Sequence, residues 1–195
     1  MKLNWRLILA SASPRRRQLL LGLDLPVEVT STDVDETPPA GMPIDQVAEH
    51  LALKKANAYN GPLAEDQVLI TADTTVIVDD NLLNKPADSA EAHAMLTMLA
   101  GRTHKVVTGV CLRTTAQTIA YSDIAEVTFA TLTPEEISYY IEHHKPFDKA
   151  GAYGVQDWIG YAAVERINGS FYTVMGLPLH RVYRTLNELV GAPVK

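Results

Sequence analysis

The stretch from Val68 to Asp80 restricts the fold most. It reads Val-Leu-Ile-Thr-Ala-Asp-Thr-Thr-Val-Ile-Val-Asp-Asp. β-Branched residues dominate it, which makes it a long strand. Asp73 breaks that character, standing between Ala72 and Thr74-Thr75-Val76. Aspartate is depleted in strands, so a carboxylate there needs a partner, a metal or a chemical task. A strand-end aspartate capping a turn is the plain alternative, and the residues alone leave both open.

Strand and helix patterns alternate around this run. Leu7–Ala10 is a short apolar strand ending at Ser11-Ala12-Ser13-Pro14, a turn-to-helix signal. Arg15 to Leu21 reads as helix closed by Gly22, and Pro26–Ser31 alternates as a strand. The acidic, proline-bearing stretch from Asp33 to Pro43 is a loop. Ile44 to Tyr59 has helical spacing and stops at Gly61-Pro62. Asp88-Ser89-Ala90-Glu91 has the form of a capping box opening a helix to Ala100. Residues 104–113 and 118–130 form a pair of long strands, and Pro134 to His144 a helix. Asp148 to Gln156 is a glycine-rich loop, Ala162–Ile167 a strand, and Pro178 to Val190 a closing helix. The alternation implies an α/β or α+β protein with a mixed sheet. No composition break marks a domain boundary.

The totals exclude several classes. With 195 residues, 47% hydrophobic and 21% charged, the chain has the balance of a globular domain with its own core. A net charge of −6 argues against binding a nucleic-acid polymer, which demands a broad basic surface. It leaves room for one small anion held by a few convergent cations. Cys111 is the only cysteine, so no internal disulfide forms. It sits in an apolar β-like run and reads as a buried structural thiol. No segment has the length of a membrane-crossing helix. The apolar stretch near the N-terminus is too short for a secretory signal. A cytoplasmic setting is the expectation.

The first helix carries a charge pattern that needs explanation. Ser13 suits an N-cap and Pro14 the first helical position, yet Arg15, Arg16 and Arg17 crowd the first turn. Each cation at that end of the dipole costs about 0.3–1 kcal/mol. A bound anion reverses the penalty, because free backbone N–H groups and arginine forks then converge on one phosphate. A solvated basic helix end is the alternative, and the pattern alone does not separate them.

Other chemical candidates are individually weaker. Asp33, Asp35 and Glu36 cluster in a loop and offer oxygen ligands suited to magnesium or manganese. Lys54-Lys55 and Lys85 are candidate phosphate partners, although most lysines are simply solvated. The histidines have no metal-ligand spacing. There is no Walker loop and no Gly-x-Gly-x-x-Gly. Phosphate binding must come from arginine, lysine and helix termini.

These pieces together resemble the Maf family of nucleotide pyrophosphatases. The likeness runs through Leu-Ala-Ser-Ala-Ser-Pro-Arg-Arg at 9–16, Asp-Val-Asp-Glu at 33–36 and Leu-Lys-Lys-Ala at 53–56. It continues through Thr-Ala-Asp-Thr at 71–74, Asn-Lys-Pro at 84–86 and Gly-Arg-Thr-His at 101–104. Asp-Lys-Ala-Gly-Ala-Tyr-Gly-Val-Gln at 148–156 and Asn-Gly-Ser-Phe-Tyr-Thr-Val-Met-Gly-Leu-Pro at 168–178 complete it.

The resemblance implies a single Maf-like domain over residues 1–195, an α/β fold with a mixed twisted sheet. It further implies two lobes around a central cleft, similar to inosine-triphosphate pyrophosphatases. It implies hydrolysis of a nucleoside triphosphate to monophosphate and pyrophosphate with a divalent cation, magnesium or manganese. By motif, Asp73 is the general base, and Ser13, Arg16, Lys55 and Lys85 bind substrate. Glu36 joins Asp73 at the metal. Arg15, Thr74 and Gln156 match the dTTP/UTP branch rather than the 7-methyl-GTP branch, and Gln156 has the donor and acceptor needed to read a pyrimidine edge. Thr71 stands where glycine is common and is expected to matter little. A regulatory role in septum formation through a protein partner is the reading from another class. A homodimer is compatible with either.

Overall fold

The structure, a computed structural model, describes residues 5–191. The first residues of the N-terminal stretch, 1–4, lie outside that range.

In chain order the elements are β1 (Arg6–Ala10), α1 (Pro14–Leu21), β2 (Val27–Thr30), α2 (Val47–Ala58), β3 (Gln67–Val78) and β4 (Asn81–Leu83). Then come α3 (Ser89–Leu99), β5 (Thr103–Arg113), β6 (Thr118–Phe129), α4 (Pro134–His144), α5 (Trp158–Ala162), β7 (Val164–Asn168), α6 (Phe171–Met175) and α7 (Leu179–Gly191). The strands form one mixed sheet in the order β2-β1-β3-β5-β6-β7, with β4 paired to β3. β1 runs parallel to both β2 and β3, whereas β3–β4 and β6–β7 are antiparallel. The expected mixed α/β architecture is therefore present.

The chain divides into two compact units. The first comprises the stretch up to Asp73, Thr108–Asp123, and the chain from Gly176 on; the second comprises Thr74–Val107 and Ile124–Met175. The long strands β3, β5 and β6 each contribute residues to both units. The division falls inside strands, which is why no linker or composition break announces it.

Each unit has its own apolar cluster. In the first, Ile8, Ala10, Ala52, Ala56, Leu69 and Cys111 pack together. In the second, Val76, Leu96, Val106, Phe129, Ile137 and Tyr153 belong to a larger cluster. Burial pushes the Cys111 thiol up to about 11, consistent with an inert structural cysteine.

Local details correct the sequence reading in instructive ways. The Val68–Asp80 run ends as a strand at Val78, because Asp79 and Asp80 both take left-handed backbone (φ 45° and 62°). They form the two-residue turn into β4, a job usually given to Asn-Gly. Arg102 pairs with the Asp79 carboxylate at that turn. Gly22 ends α1 in right-handed geometry, and Asp24 supplies the left-handed residue instead. Asp88 does cap α3 by accepting from the Glu91 N–H, but the Glu91 carboxylate reaches back to Ala87 rather than to Asp88. The predicted strand Ala162–Ile167 is displaced to Val164–Asn168, and Ala162 closes α5.

One glycine sets how closely α2 approaches the sheet. A Cβ on Gly109 in β5 would stand 2.2 Å from the backbone of Ala48. Only glycine allows that contact, and α2 carries the lysines of the candidate site.

Candidate active site

The most concentrated chemistry lies in the first unit, at the end of its share of β3. Asp73 is buried, with 9% of its surface exposed, and so is Lys55 on α2. The Lys55 Nζ donates to Asp73 Oδ1 at 2.6 Å and stands 2.7 Å from Glu36 Oε1. One ammonium thus draws two carboxylates from separate stretches of chain to a common point. Glu36 is the more exposed partner.

A second bond fixes the register of this pair. Thr71, fully buried, donates from Oγ1 to the carbonyl oxygen of Ala52 at 2.6 Å. Thr71 and Asp73 share one face of β3 by strand periodicity, as Ala52 and Lys55 share one face of α2. The same strand face therefore meets the same helix face through two polar links. Thr71, expected to matter little beside Asp73, makes a hydroxyl bond to α2 that glycine could not make.

The neighbouring lysine ties down the acidic loop. Lys54 donates to the Asp35 carbonyl oxygen at 2.5 Å, and its Nζ lies 3.9 Å from the Asp35 carboxylate. The Asp35 carboxylate accepts from the Thr37 N–H, and hydrogen bonding by Thr37, its side chain first and its backbone second, holds it below its ordinary range. Consecutive lysines on α2 thus hold consecutive acids of the loop.

Arg16 completes the constellation. Its Nε donates to the Gly176 carbonyl oxygen at 2.8 Å, and Nη1 donates to the Ala72 carbonyl oxygen at 2.8 Å and to Ser11 Oγ at 3.4 Å. Burial lowers the guanidinium pKa, while the charges of Asp73 and Glu36 oppose that shift and Arg15 adds to it. Arg16 is therefore a clamp on the residue before Asp73 as well as a half-buried cation. Ser13 occupies the N-cap position of α1, yet its side chain makes no capping bond. Its N–H donates to Ser11 Oγ at 3.2 Å. Ser11 lies in the turn-to-helix signal and in the 9–16 motif, but the sequence assigns it no role of its own.

The structure gathers Asp73, Lys55, Glu36 and Arg16, with Arg15 close enough to repel Arg16. Thr74, Lys85 and Gln156 belong to the second unit. Lys85 is exposed just beyond β4. Gln156 is half-buried and lines a cavity of about 460 Å³, together with Tyr161, Phe171, Val164, Ile167 and Met175. That volume is in the range of small-molecule sites. Around Gln156 the polar groups Tyr140, Asp157 and Lys149 are linked through Asp157; Lys149 belongs to the 148–156 motif, whereas nothing in the sequence marks Tyr140 and Asp157.

The donor set bears on a metal. Among the described residues, no group of three or more His, Cys, Asp and Glu is arranged to hold an ion. Asp73 and Glu36 offer two hard carboxylates at one point. Magnesium-type ions bind through one or two carboxylates plus water and substrate phosphates, so the pair fits such an ion.

An α/β protein that collects a carboxylate pair, an ammonium and a half-buried guanidinium beside a basic helix start has the makings of a phosphate-handling protein. The chain belongs to the family described as Maf-like protein, whose model matches residues 6–189. It is 50% identical over 188 residues to a dTTP/UTP pyrophosphatase of Porphyromonas gingivalis, covering 95% of this chain and 94% of the relative. A dTTP/UTP pyrophosphatase of Parabacteroides distasonis is 48% identical over 186 residues, covering 95% and 96%. One of Flavobacterium johnsoniae is 43% identical over 187 residues, covering 96% of each.

Proposed function

We propose that this chain hydrolyses dTTP and UTP, each to its monophosphate and pyrophosphate. The observation that carries this reading is the Lys55 ammonium held between the buried Asp73 and Glu36. Membership of the Maf-like family and the dTTP/UTP pyrophosphatase relatives point the same way. Modified pyrimidine triphosphates fall within the same chemistry.

In this reading water attacks a phosphorus of the α–β anhydride. The new bond joins the water oxygen to phosphorus, the bridging P–O bond breaks, and the water proton passes to the Asp73 carboxylate. Lys55 and Arg16 offset negative charge as it develops near Asp73. Ser13 and the basic start of α1 take a phosphate, and Lys85 adds a further cation by motif. Arg15, Thr74 and Gln156 set the choice of base. Glu36 and Asp73 would hold a magnesium or manganese ion, which would supply charge neutralisation at the phosphates.

The proposed setting is the cytoplasm; no helix among the described residues is long and apolar enough to cross a membrane. The test is pyrophosphate release from dTTP, UTP and 7-methyl-GTP, with and without each metal, in wild type and Asp73→Asn. Asp73→Asn should lower turnover of dTTP and UTP by about 10²–10⁴-fold with the thermal midpoint little changed. Undiminished turnover removes Asp73 from its role. A preference for 7-methyl-GTP moves the chain to the other branch. An Asp73→Asn variant that is inactive yet still blocks septation on overexpression would support the partner-binding alternative.

A further inference from the structure

Gln156 sits in a turn whose geometry is set by groups that have no part in the hydrolysis. The turn runs Gly154-Val155-Gln156-Asp157, closed by the Asp157 N–H donating to the Gly154 carbonyl oxygen at 2.9 Å. Tyr140, fully buried on α4, holds both ends. Its hydroxyl accepts from the Gly154 N–H at 3.1 Å and donates to Asp157 Oδ2 at 3.0 Å. Burial keeps this phenol protonated, and the Asp157 charge adds to the effect. The Lys149 Nζ lies 3.7 Å from the same Asp157 oxygen. Asp157 occupies the N-cap position of α5 but makes no capping bond there. Its carboxylate is committed to Tyr140 and Lys149 instead.

Gly154 reports what this arrangement does to Gln156. A Cβ on Gly154 would stand 2.6 Å from Asp157 Oδ2 and 2.9 Å from Gln156 Nε2. The bare face of Gly154 is therefore the floor on which the Asp157 carboxylate and the nitrogen end of the Gln156 carboxamide both lie. A carboxylate attracts the amide hydrogens and repels the amide oxygen. With Asp157 fixed by Tyr140, one of the two senses of the carboxamide is favoured over its 180° flip.

That sense matters for a pyrimidine. Uracil and thymine present an acceptor at position 4 beside a donor at position 3. Cytosine presents the reverse, a donor beside an acceptor. A carboxamide held in one sense matches one of these edges and opposes the other, whereas a freely flipping carboxamide serves both.

We propose that Asp157 and Tyr140 are positioning residues that fix the sense of the Gln156 carboxamide and thereby favour uracil- and thymine-type triphosphates over cytosine-type ones. This rests on the reading of Gln156 as the base-reading residue.

The experiment compares kcat/KM for UTP and CTP in wild type, Gln156→Ala, Asp157→Asn and Tyr140→Phe, with thermal midpoints for each. Wild type should prefer UTP, and Gln156→Ala should lose that preference. Asp157→Asn and Tyr140→Phe should narrow the preference by about tenfold, the scale of one hydrogen bond. Part of the narrowing should be a rise in kcat/KM for CTP. Structural damage lowers both substrates together and produces no such gain. Wild type without a preference, or Gln156→Ala that keeps it, overturns the reading of Gln156 and the inference with it. Loss of preference in Gln156→Ala alone, with Asp157→Asn and Tyr140→Phe unchanged, overturns only the positioning role.

Discussion

The helix that opens at Ser13-Pro14 and the helix that opens at Thr133-Pro134 start from the same two kinds of residue. Thr133 closes a full capping box: its hydroxyl accepts from the Glu136 N–H, and the Glu136 carboxylate accepts from the Thr133 N–H. Glu135 and Glu136 lie in the first turn of α4 and His143 and His144 in the last, each on the side the dipole favours. In α1 the Ser13 side chain caps nothing, no acid lies in the first turn, and Arg15, Arg16 and Arg17 occupy it. α4 satisfies its own terminus and serves the packing of the second unit. α1 starts without a side-chain cap and with positive charge, in the unit that holds Asp73 and Lys55. Local physics penalises the second arrangement, so a ligand that supplies negative charge is its natural complement.

Removing Arg16 tests the basic start most severely. Arg16→Ala deletes a half-buried cation together with the bonds to Ala72 and Gly176. It should lower kcat/KM for dTTP by about 10²-fold, the scale of a lost charge contact or a misplaced catalytic group. The triphosphate should suffer more than the nucleoside in a binding assay. Equal losses for both would make Arg16 a structural clamp only, and the contrast with α4 would lose its functional half.

The interior of the second unit extends the contrast to buried polar groups that serve stability. His104 is buried, its Nε2 bonds the Tyr153 hydroxyl at 2.8 Å, and its Nδ1 meets no partner among the described residues. It packs edge-on against Phe129 and Tyr153. Burial lowers its pKa from 6.5 to about 4. The unfolded chain therefore binds the proton more readily than the folded one. Stability is fully present above pH 6.5 and is lost as pH falls through 4. Between pH 7 and pH 5 this group should remove about 2 kcal/mol. Urea midpoints at both pH values should show that loss in wild type and a smaller one in His104→Phe. An equal loss in both would place the acid sensitivity elsewhere.

Thr133→Ala then measures what a satisfied start contributes. It should lower stability by about 1 kcal/mol. Ser13→Ala should change the thermal midpoint much less, because no cap bond is lost. A matching fall in Ser13→Ala would show that the two starts are alike in the free protein.

How much of this was legible in the sequence depends on the physical origin of each feature. β3, α2 and α4 were readable, because β-branched runs, helical spacing and proline starts are local signals. The five-residue helices α5 and α6 are too short to show a period, so the sequence assigns residues 158–161 no element and gives Ala162 to the strand that follows. The Asp79-Asp80 turn was hidden because neither residue is glycine. At the site, Asp73 stood out as an acid in a strand, and Lys55 and Glu36 as members of motifs. That Lys55 joins Asp73 to Glu36 could not be read, since it depends on α2 lying against β3. Thr71, Ser11, Tyr140 and Asp157 act through contacts with distant stretches or backbone groups, which leave no spacing to detect.

The smallest effect is the most discriminating for the α1–α4 contrast. Arg17 is exposed in the first turn of α1, so its charge opposes the dipole without being needed for packing. Arg17→Glu should stabilise the free protein by about 0.3–1 kcal/mol, as an acid at that end normally does. The same change should raise KM for dTTP, because a negative charge then faces an incoming phosphate, and added salt should shrink both effects. Opposite signs for stability and affinity are what a terminus kept open for an anion requires. A fall in the thermal midpoint of the free protein would mean that the Arg17 charge is already satisfied without ligand, and the start of α1 would be as self-contained as that of α4.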